Sequence, residues 1–126
     1  MSRIRGKDTT PERAVRSMVH GLRYRFLLHG RDLPGRPDLV LPRLRTVIFV
    51  HGCFWHRHAR CRYATTPATR RAFWLEKFER NVERDRRTAA ALRRLGWSVI
   101  TVWECQLRRP AKVRARLERM LEQREG

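Results

Sequence analysis

The segment between residues 47 and 61 holds most of the side chains in this chain that can do chemistry. A run of β-forming residues, 47–50, leads into a stretch with three histidines, two cysteines and two adjacent aromatic rings. Thiolates and imidazoles are the ligands that zinc prefers. An imidazole can also act as a general base near neutral pH, and flat rings on a loop can wedge between DNA bases. The spacing therefore suggests a metal site, a hydrolytic centre and a DNA-contacting tip in one loop.

A zinc site is indicated by Cys53, His58 and Cys61 in this loop, together with Cys105 further along the chain. Four protein donors of this kind close a tetrahedron and would pin a long irregular loop. Three cysteines are an odd number for a disulfide framework, which favours a metal in a reducing compartment. The gaps match no standard zinc-finger pattern. Two alternatives therefore stay open from spacing alone: unrelated buried thiols, and His56 in place of His58 as the nitrogen ligand.

A hydrolytic centre is indicated by residues on both strands of a predicted hairpin. Asp38 ends a Pro/Gly-rich turn at the start of a strand, where a carboxylate is a hard oxygen ligand suited to Mg²⁺. His56 is a candidate base for an attacking water, and Asp85 could hold its other ring nitrogen. The layout is that of the PD-(D/E)xK nuclease core, with 49–51 (Phe-Val-His) replacing the acid-x-Lys element. The alternatives are a turn cap for Asp38 and a helix-surface salt bridge for Asp85.

Three aromatic residues are candidates for a wedge that opens a base step. Phe54 and Trp55 lie in the histidine-rich loop, and Trp74 lies near the start of a predicted long helix. A mismatched step costs least to open, so a wedge can itself select mismatches. The alternative for Trp74 is ordinary core packing, the role that we also expect for Trp97 and Trp103.

The charge of the chain favours a polyanionic partner. Lys and Arg number 30 against 12 Asp and Glu among 126 residues, which gives a net charge of +18. Nucleic acid is the usual partner of so basic a chain, an acidic protein or an anionic membrane surface being the alternatives. Arg36, Arg70 and Arg71 are candidates for contacts to the DNA backbone. No apolar run approaches the roughly 20 residues of a membrane span, and no secretory signal is visible at the N-terminus.

The hydrophobic pattern predicts one domain with the element order α-β-β-β-α-β-α. Helices are predicted over 10–21, 69–95 and 112–123, and strands over 24–28, 39–41, 47–50 and 97–103. The second and third strands form a hairpin over 42–45. This order predicts an α/β fold with a mixed central sheet flanked by helices. The apolar positions of the long helix are Phe73, Leu75, Phe78, Val82, Ala89, Leu92 and Leu95.

Several strings in order resemble the very-short-patch repair (Vsr) DNA mismatch endonucleases. They are LPGRPD (33–38), VIFVHGCFWH (47–56), FWLEK (73–77), NVERDR (81–86) and VWEC (102–105). The resemblance covers residues 8 to about 108. It implies a restriction-endonuclease-like fold, a single domain over 1–126 with a short flexible arm at 1–8, and a Mg²⁺-dependent nick 5′ to the T of a T·G mismatch that arises by deamination of 5-methylcytosine.

The same resemblance assigns roles to individual residues. Asp38 and the backbone carbonyl of Val50 would hold Mg²⁺, and His56 would be the base, supported by Asp85. His51 and Glu12 are implied as further active-site residues. The implied zinc ligands are Cys53, His58, Cys61 and Cys105, and the implied wedge is Phe54, Trp55 and Trp74.

The resemblance also implies a setting. It implies a monomeric cytoplasmic enzyme of a bacterium, associated with the nucleoid through DNA, with mismatch-repair proteins and a DNA polymerase acting alongside or after it. Three departures from the family pattern are visible: Val50 stands where threonine is frequent, the interval from Cys53 to Cys61 is one residue longer, and the arm before Thr9 is short. A non-catalytic zinc-stabilised DNA-binding module and a restriction-type or structure-specific nuclease of the same fold are the alternative functions.

Overall fold

The fold is a four-stranded mixed sheet with helices on both faces. The computed structural model describes residues 10–58, 61 and 64–125, with the backbone alone at Trp55; the predicted arm at 1–8 lies outside these residues. The elements are α1 (Thr10–Gly21), β1 (Leu27–Leu28), β2 (Leu39–Leu41), β3 (Thr46–His51), α2 (Cys53–His56), α3 (Arg71–Arg94), β4 (Ser98–Trp103) and α4 (Pro110–Glu125). Within this part of the chain, no helix is long and apolar enough to cross a bilayer.

The sheet brings the ends of two strands to one edge. Its order is β1-β2-β3-β4, with β1, β2 and β3 antiparallel in turn and β3 parallel to β4. A 3₁₀ turn, Pro42–Leu44, followed by Arg45 in the left-handed region (φ 51°), closes the predicted hairpin. The parallel register pairs His51 with Trp103. Whatever follows β3 and β4 therefore lies at the same edge of the sheet, which is where the functional side chains converge.

Alternation along the strands divides the core between the two faces of the sheet. Leu39, Leu41 and Ile48 face α1 and α4, whose buried residues are Val15, Val19, Val113, Leu117 and Leu121. Val40, Val47 and Phe49 face the other side and pack with Leu92 of α3. The α/β architecture, the hairpin and all three long helices are thus as predicted.

Four details differ from the sequence-based expectation. Strand β1 covers only Leu27–Leu28, because its pairing with β2 extends over two residues. The histidine-rich loop begins with the one-turn helix α2, and α4 starts at Pro110, a residue whose fixed φ suits a first helical position. On α3, only Phe78 and Leu92 are buried, whereas four of the expected core residues are exposed: Phe73, Leu75, Val82 and Leu95. The main packing partners of α3 are α2 and β4, which cover only part of its apolar surface.

Candidate active site and metal centre

His56, at the end of helix α2, and His58, just after it, point to opposite sides. His51 ends β3, Gly52 leads into α2, and His56 is the last helical residue. Arg57 then adopts the left-handed conformation (φ 52°, ψ 57°), and its N–H donates to the Cys53 carbonyl. This reversal of the backbone places His58 beside Cys53 while His56 faces α3. Two residues of the same type, two positions apart, therefore enter different clusters.

His56 and Asp85 form a short contact across the gap between α2 and α3. The His56 Nδ1 atom lies 2.6 Å from Asp85 Oδ2, and both side chains are about one-quarter exposed. A carboxylate at Nδ1 favours the tautomer that carries its proton there and leaves the Nε2 lone pair free. Asp85 forms this contact instead of the helix-surface salt bridge considered from the sequence.

His51 lies flat against His56. The ring centroids are 3.8 Å apart and the planes differ by 5°. Burial, and secondarily the neighbouring His56, lowers the pKa of His51 to about 4. His51 is therefore neutral near pH 7, so the stacked pair does not place two positive charges face to face. Its Nδ1 atom is buried without a hydrogen-bond partner in the described part of the chain.

Asp38 lies one strand away from these rings. Its Oδ2 atom accepts a hydrogen bond from the Val50 N–H at 2.7 Å. Burial raises the pKa of Asp38 to about 6, with a further contribution from the nearby Glu12, against the lowering effect of the Val50 hydrogen bond. Glu12 is only 2% exposed and accepts a hydrogen bond from Arg16 at 2.8 Å. Two carboxyl groups thus converge where solvent is scarce.

His29 is a member of this group that the sequence reasoning missed. Its Nε2 atom lies 3.4 Å from Glu12 Oε2, and the ligand atoms of Glu12, His29 and Asp38 all lie within 4.8 Å of one another. His29 directly follows β1, and its backbone N–H donates to the Asp38 carbonyl. Extending the β1–β2 pairing by one residue would have drawn attention to it.

Asp38, His51, His56 and Asp85 line a cleft of about 350 Å³. Its wall opposite the histidines is the turn at Gly35, which has φ +73° and would place a Cβ 2.3 Å from Thr88 Cγ2. Only glycine therefore allows the turn to approach α3 this closely. Arg36 and Arg84 also line the cleft. The other two predicted backbone-contact residues, Arg70 and Arg71, lie at the start of α3 and outside this lining.

The residues beside the cleft fit a hard divalent cation. Asp38 and Glu12 provide carboxylate oxygens, the donors that Mg²⁺ accepts. The N–H and C=O of a strand residue point to the same side, so the Val50 carbonyl faces the side on which Asp38 lies. The raised pKa of Asp38 shows that the nearby cationic groups do not offset its burial. A bound cation would remove that deficit.

A second cluster, which we call the thiol cluster, lies on the other side of α2. Its members are Cys53, His58, Cys61 and Cys105, and their ligand atoms all lie within 4.8 Å of one another. His58 Nδ1 is 3.7 Å from Cys53 Sγ and 3.3 Å from Cys105 Sγ. None of the three cysteines, all in the described part of the chain, forms a disulfide. Three sulfurs and one imidazole nitrogen that converge in this way fit a structural zinc ion.

Burial also affects the protonation of two of these thiols. It raises the pKa of Cys53 to about 12 and also raises that of Cys105. Without a cation, both of these thiols are protonated near pH 7. Zinc binds thiolates, so loading the cluster would release protons.

Trp103 separates the two clusters and was wrongly expected in the core. It is only half-buried, and its ring stacks on His58 at 4.3 Å with an 8° interplanar angle. Its edge-on contacts are with His51 at 5.3 Å and His56 at 6.5 Å. The error arose because alternation along β4 predicts burial but not what lies beyond the end of the strand.

The wedge candidates Phe54 and Trp74 are brought together. Phe54 packs edge-on against Phe78 at 5.1 Å and against Trp74 at 6.2 Å. Trp74 is half-buried, and the neighbouring Phe73 is exposed. The side chain of Trp55 lies outside what the structure describes. The rings therefore form an aromatic cluster at the junction of α2 and α3, beside the cleft.

Arg57 supports this junction and was also missed. Its guanidinium donates to the carbonyls of Phe54 (3.2 Å), Ala64 (2.9 Å) and Thr65 (2.8 Å) and to Thr66 Oγ1 (3.0 Å). It also lies 3.9 Å from the centre of the Phe78 ring. The sequence signal was faint, because one arginine among many basic residues has no distinctive spacing.

Comparison with known proteins identifies the family. The family model for the DNA mismatch endonuclease Vsr matches residues 1–62. The Type II nicking enzyme V.XorIIP of Xanthomonas oryzae pv. oryzae is 49% identical over 97% of this chain and 89% of its own length. The DNA mismatch endonuclease Vsr of Escherichia coli is 50% identical over 86% of this chain and 69% of its own length. The chain belongs to the Vsr family.

The solved structures agree on the fold of this Vsr-family chain. The catalytic domain of the homing endonuclease I-Bth0305I superposes with a TM-score of 0.68, covering 94% of this chain and all of that domain, at 19% sequence identity. The predicted restriction-endonuclease-like fold is confirmed. Membership of the Vsr family makes the chain an endonuclease of DNA repair.

Proposed function

We propose that the protein nicks one strand of duplex DNA on the 5′ side of the T in a T·G mismatch, in a reaction that depends on Mg²⁺. The observation that carries this proposal is the 2.6 Å contact between His56 and Asp85, which faces a cleft shared with Asp38. Relatives named as a mismatch endonuclease and as a nicking enzyme support the reaction class.

In this mechanism, His56 removes a proton from the attacking water. Asp85 holds the ring through Nδ1, so Nε2 is the atom that accepts the proton, and the developing imidazolium is stabilised by the carboxylate. The neutral His51 ring stacked beneath it adds no opposing charge. Proton transfer of this kind contributes about 10²- to 10⁴-fold to a rate.

Asp38, the Val50 carbonyl and Glu12 would hold Mg²⁺ on the other side of the cleft. When bound, the ion supplies Lewis-acid stabilisation of the scissile phosphate and the leaving oxygen. Arg36 and Arg84, which line the same cleft, are placed to contact phosphates. A single centre of this kind suits a nick in one strand and a monomeric enzyme.

The thiol cluster is proposed to be a structural zinc site. When bound, zinc supplies a cross-link between the loop after α2 and Cys105, which follows β4. The aromatic rings of Phe54 and Trp74, with Trp55 beside them in sequence, are proposed as the wedge. A T·G pair is easier to unstack than a matched pair, so a wedge at that step favours mismatched over matched DNA.

The test uses two end-labelled duplexes that differ only in one base pair, T·G against C·G, in several flanking contexts and with Mg²⁺. We expect a single nick 5′ to the mismatched T and an intact matched duplex. Cleavage of both duplexes would instead indicate a restriction-type nuclease. Tight binding without cleavage in every context would indicate a binding module.

The wedge has its own test within the same assay. Trp74→Ala should reduce the ratio of mismatched to matched binding by more than it reduces binding to matched DNA. Equal losses on both duplexes would make Trp74 a packing residue only. In the cell, we propose that the nick is followed by resynthesis with a DNA polymerase, together with mismatch-repair proteins, on chromosomal DNA.

A further inference from the structure

A second concave surface lies at the end of the sheet opposite the cleft. We call it the arginine pocket; its volume is about 400 Å³, and its polar lining is Arg23, Arg25, Arg43, Arg124, Tyr24 and Glu125. The four arginines come from three separate elements: the segment after α1, the β2–β3 turn and the end of α4. Their convergence is therefore a product of the fold and not of one basic run.

The pocket and the cleft face different directions. Strand β3 begins at Thr46, next to the turn that carries Arg43, and ends at His51 in the cleft. Six residues at about 3.3 Å each separate the two sites by roughly 20 Å along the strand. A duplex that crosses the cleft perpendicular to β3 therefore leaves the arginine pocket open to a second segment.

The positive charge in the lining of the pocket exceeds the negative charge there. All four arginines are exposed, and within the described residues no carboxylate forms a salt bridge with any of them. The one carboxylate in the lining, Glu125, accepts a hydrogen bond from Tyr24. Burial, followed by Glu125 and two further α4 carboxylates, raises the pKa of Tyr24. Four guanidinium groups therefore face one carboxylate in the lining.

The chemistry of the pocket favours phosphodiester groups over an acidic protein. A guanidinium group donates two parallel hydrogen bonds to two oxygens of a phosphate, in a fixed geometry. A protein partner needs apolar anchors at the centre of its interface, whereas Leu41 in this pocket is 1% exposed and only Leu44 and Tyr24 are partly accessible. The net charge of +18 adds a general attraction for DNA.

We propose that the arginine pocket binds the sugar-phosphate backbone of a second DNA segment while the first segment occupies the cleft. This inference rests on the proposed function only in taking DNA as the ligand of the cleft. Such a site would bind DNA regardless of base sequence, because contacts to phosphates carry no sequence information. It would let one protein molecule bridge two segments and pass from one to the other without a free intermediate.

The test measures capture of a second duplex by the protein already bound to a first. A short T·G duplex is fixed at low density on beads, loaded with protein in Mg²⁺-free buffer and offered a labelled matched duplex. The variant is Arg43→Gln/Arg124→Gln. The matched control is Arg114→Gln/Arg119→Gln, which removes the same charge from exposed positions of α4 outside the pocket.

We expect the wild type and the control to capture the second duplex, and the pocket variant to capture about tenfold less. The slope of log K against log salt for that capture should shrink by about 0.9 for each phosphate that the variant no longer neutralises, or roughly 1.8 for two. Nicking of a single short T·G duplex should be unchanged in both variants, which separates this test from that of the proposed function.

Three results would overturn the proposal. The first is that the wild type captures no second duplex. The second is that the pocket variant and the control lose capture equally. The third is that a labelled oligoglutamate peptide binds through the pocket arginines more tightly than the duplex does. The last result would make the pocket a site for an acidic protein. Equal melting temperatures of the two variants ensure that a difference in capture reflects the pocket.

Discussion

The thiol cluster and the active-site cleft lie on either side of Trp103 and share a histidine-rich segment, yet they are built for opposite purposes. In the thiol cluster, four donors face one another within 4.8 Å. In the cleft, His56, Asp38 and Asp85 line a wall open to a cavity of about 350 Å³. A closed donor set stabilises, whereas an open one leaves room for a substrate. The same side chain, imidazole, serves both because the left-handed turn at Arg57 separates His56 from His58.

The two regions also differ in where burial is unfavourable. The cleft buries the Asp38 carboxyl group and an unpartnered His51 nitrogen, and both destabilise the protein before substrate and cation arrive. In the thiol cluster, burial keeps the thiols of Cys53 and Cys105 neutral without metal. Substitutions in the cleft should therefore change the rate, and those in the thiol cluster should change the stability.

The largest expected effect is the loss of the base. His56→Ala should slow the single-turnover nick by about 10²- to 10⁴-fold, because it removes the ring that lines the cleft and is held at Nδ1 by Asp85. The melting temperature should change little. His20→Ala, on the exposed face of α1, is the matched control. A nicking rate within tenfold of the wild type would show that a different group takes the proton.

The next effect is on folding. Cys61→Ser should abolish stoichiometric zinc and lower the unfolding free energy by about 4 kcal/mol, as for the loss of a structural metal. Elemental analysis and thermal denaturation of the purified protein measure both quantities. A variant that loses zinc but keeps the melting temperature of the wild type would contradict the expectation that the thiol cluster determines stability.

A smaller effect of opposite sign is expected at Asp38. Its folded-state pKa, about 6, lies above the ordinary value of 3.8, so its ionisation destabilises the fold. The penalty is absent below pH 4, grows between pH 4 and 6 and is complete above. In Mg²⁺-free buffer, Asp38→Asn should therefore stabilise the protein by about 2–3 kcal/mol at pH 8 and by about half as much at pH 5.

Chemical denaturation at the two pH values measures this difference. Mg²⁺ should raise the melting temperature of the wild type at pH 8 and leave that of the variant unchanged. A variant that is less stable than the wild type at pH 8 would mean that the carboxylate is stabilised by its surroundings, and the cleft would then resemble the thiol cluster.

The smallest effect concerns the segment between the two regions. Arg57→Lys keeps the charge but loses the fork that donates four hydrogen bonds, and should cost about 1–2 kcal/mol of stability. It should also lower the ratio of binding to mismatched over matched duplex, because Phe54 loses the hydrogen bond that its carbonyl accepts from Arg57. Arg80→Lys on the exposed face of α3 is the control. Equal behaviour of both variants would make the Arg57 contacts incidental.

Local patterns predicted the elements, because hydrophobic alternation and helix-end residues act over short distances. The family strings, and not the hydrophobic pattern, implied which residues meet: Asp85 reaches His56 and Cys105 reaches His58. What the sequence did not disclose depends on long-range packing. Trp103 and His29 lie beside the site because of strand register, and the exposed apolar residues of α3 reflect how little of it the sheet and α2 cover.

The parallel pairing of β3 with β4 has a consequence for the folding of the protein. Parallel strands need a long crossover, and here α3 supplies it between His51 and Ser98. The contact from His58 to Cys105 spans 47 residues, and that from His56 to Asp85 spans 29. Neither cluster exists until the crossover has docked, so a nascent or partly unfolded chain carries its basic charge without either cluster. If His56 and Asp85 act as we propose, the protein cannot cut DNA until its own folding is complete.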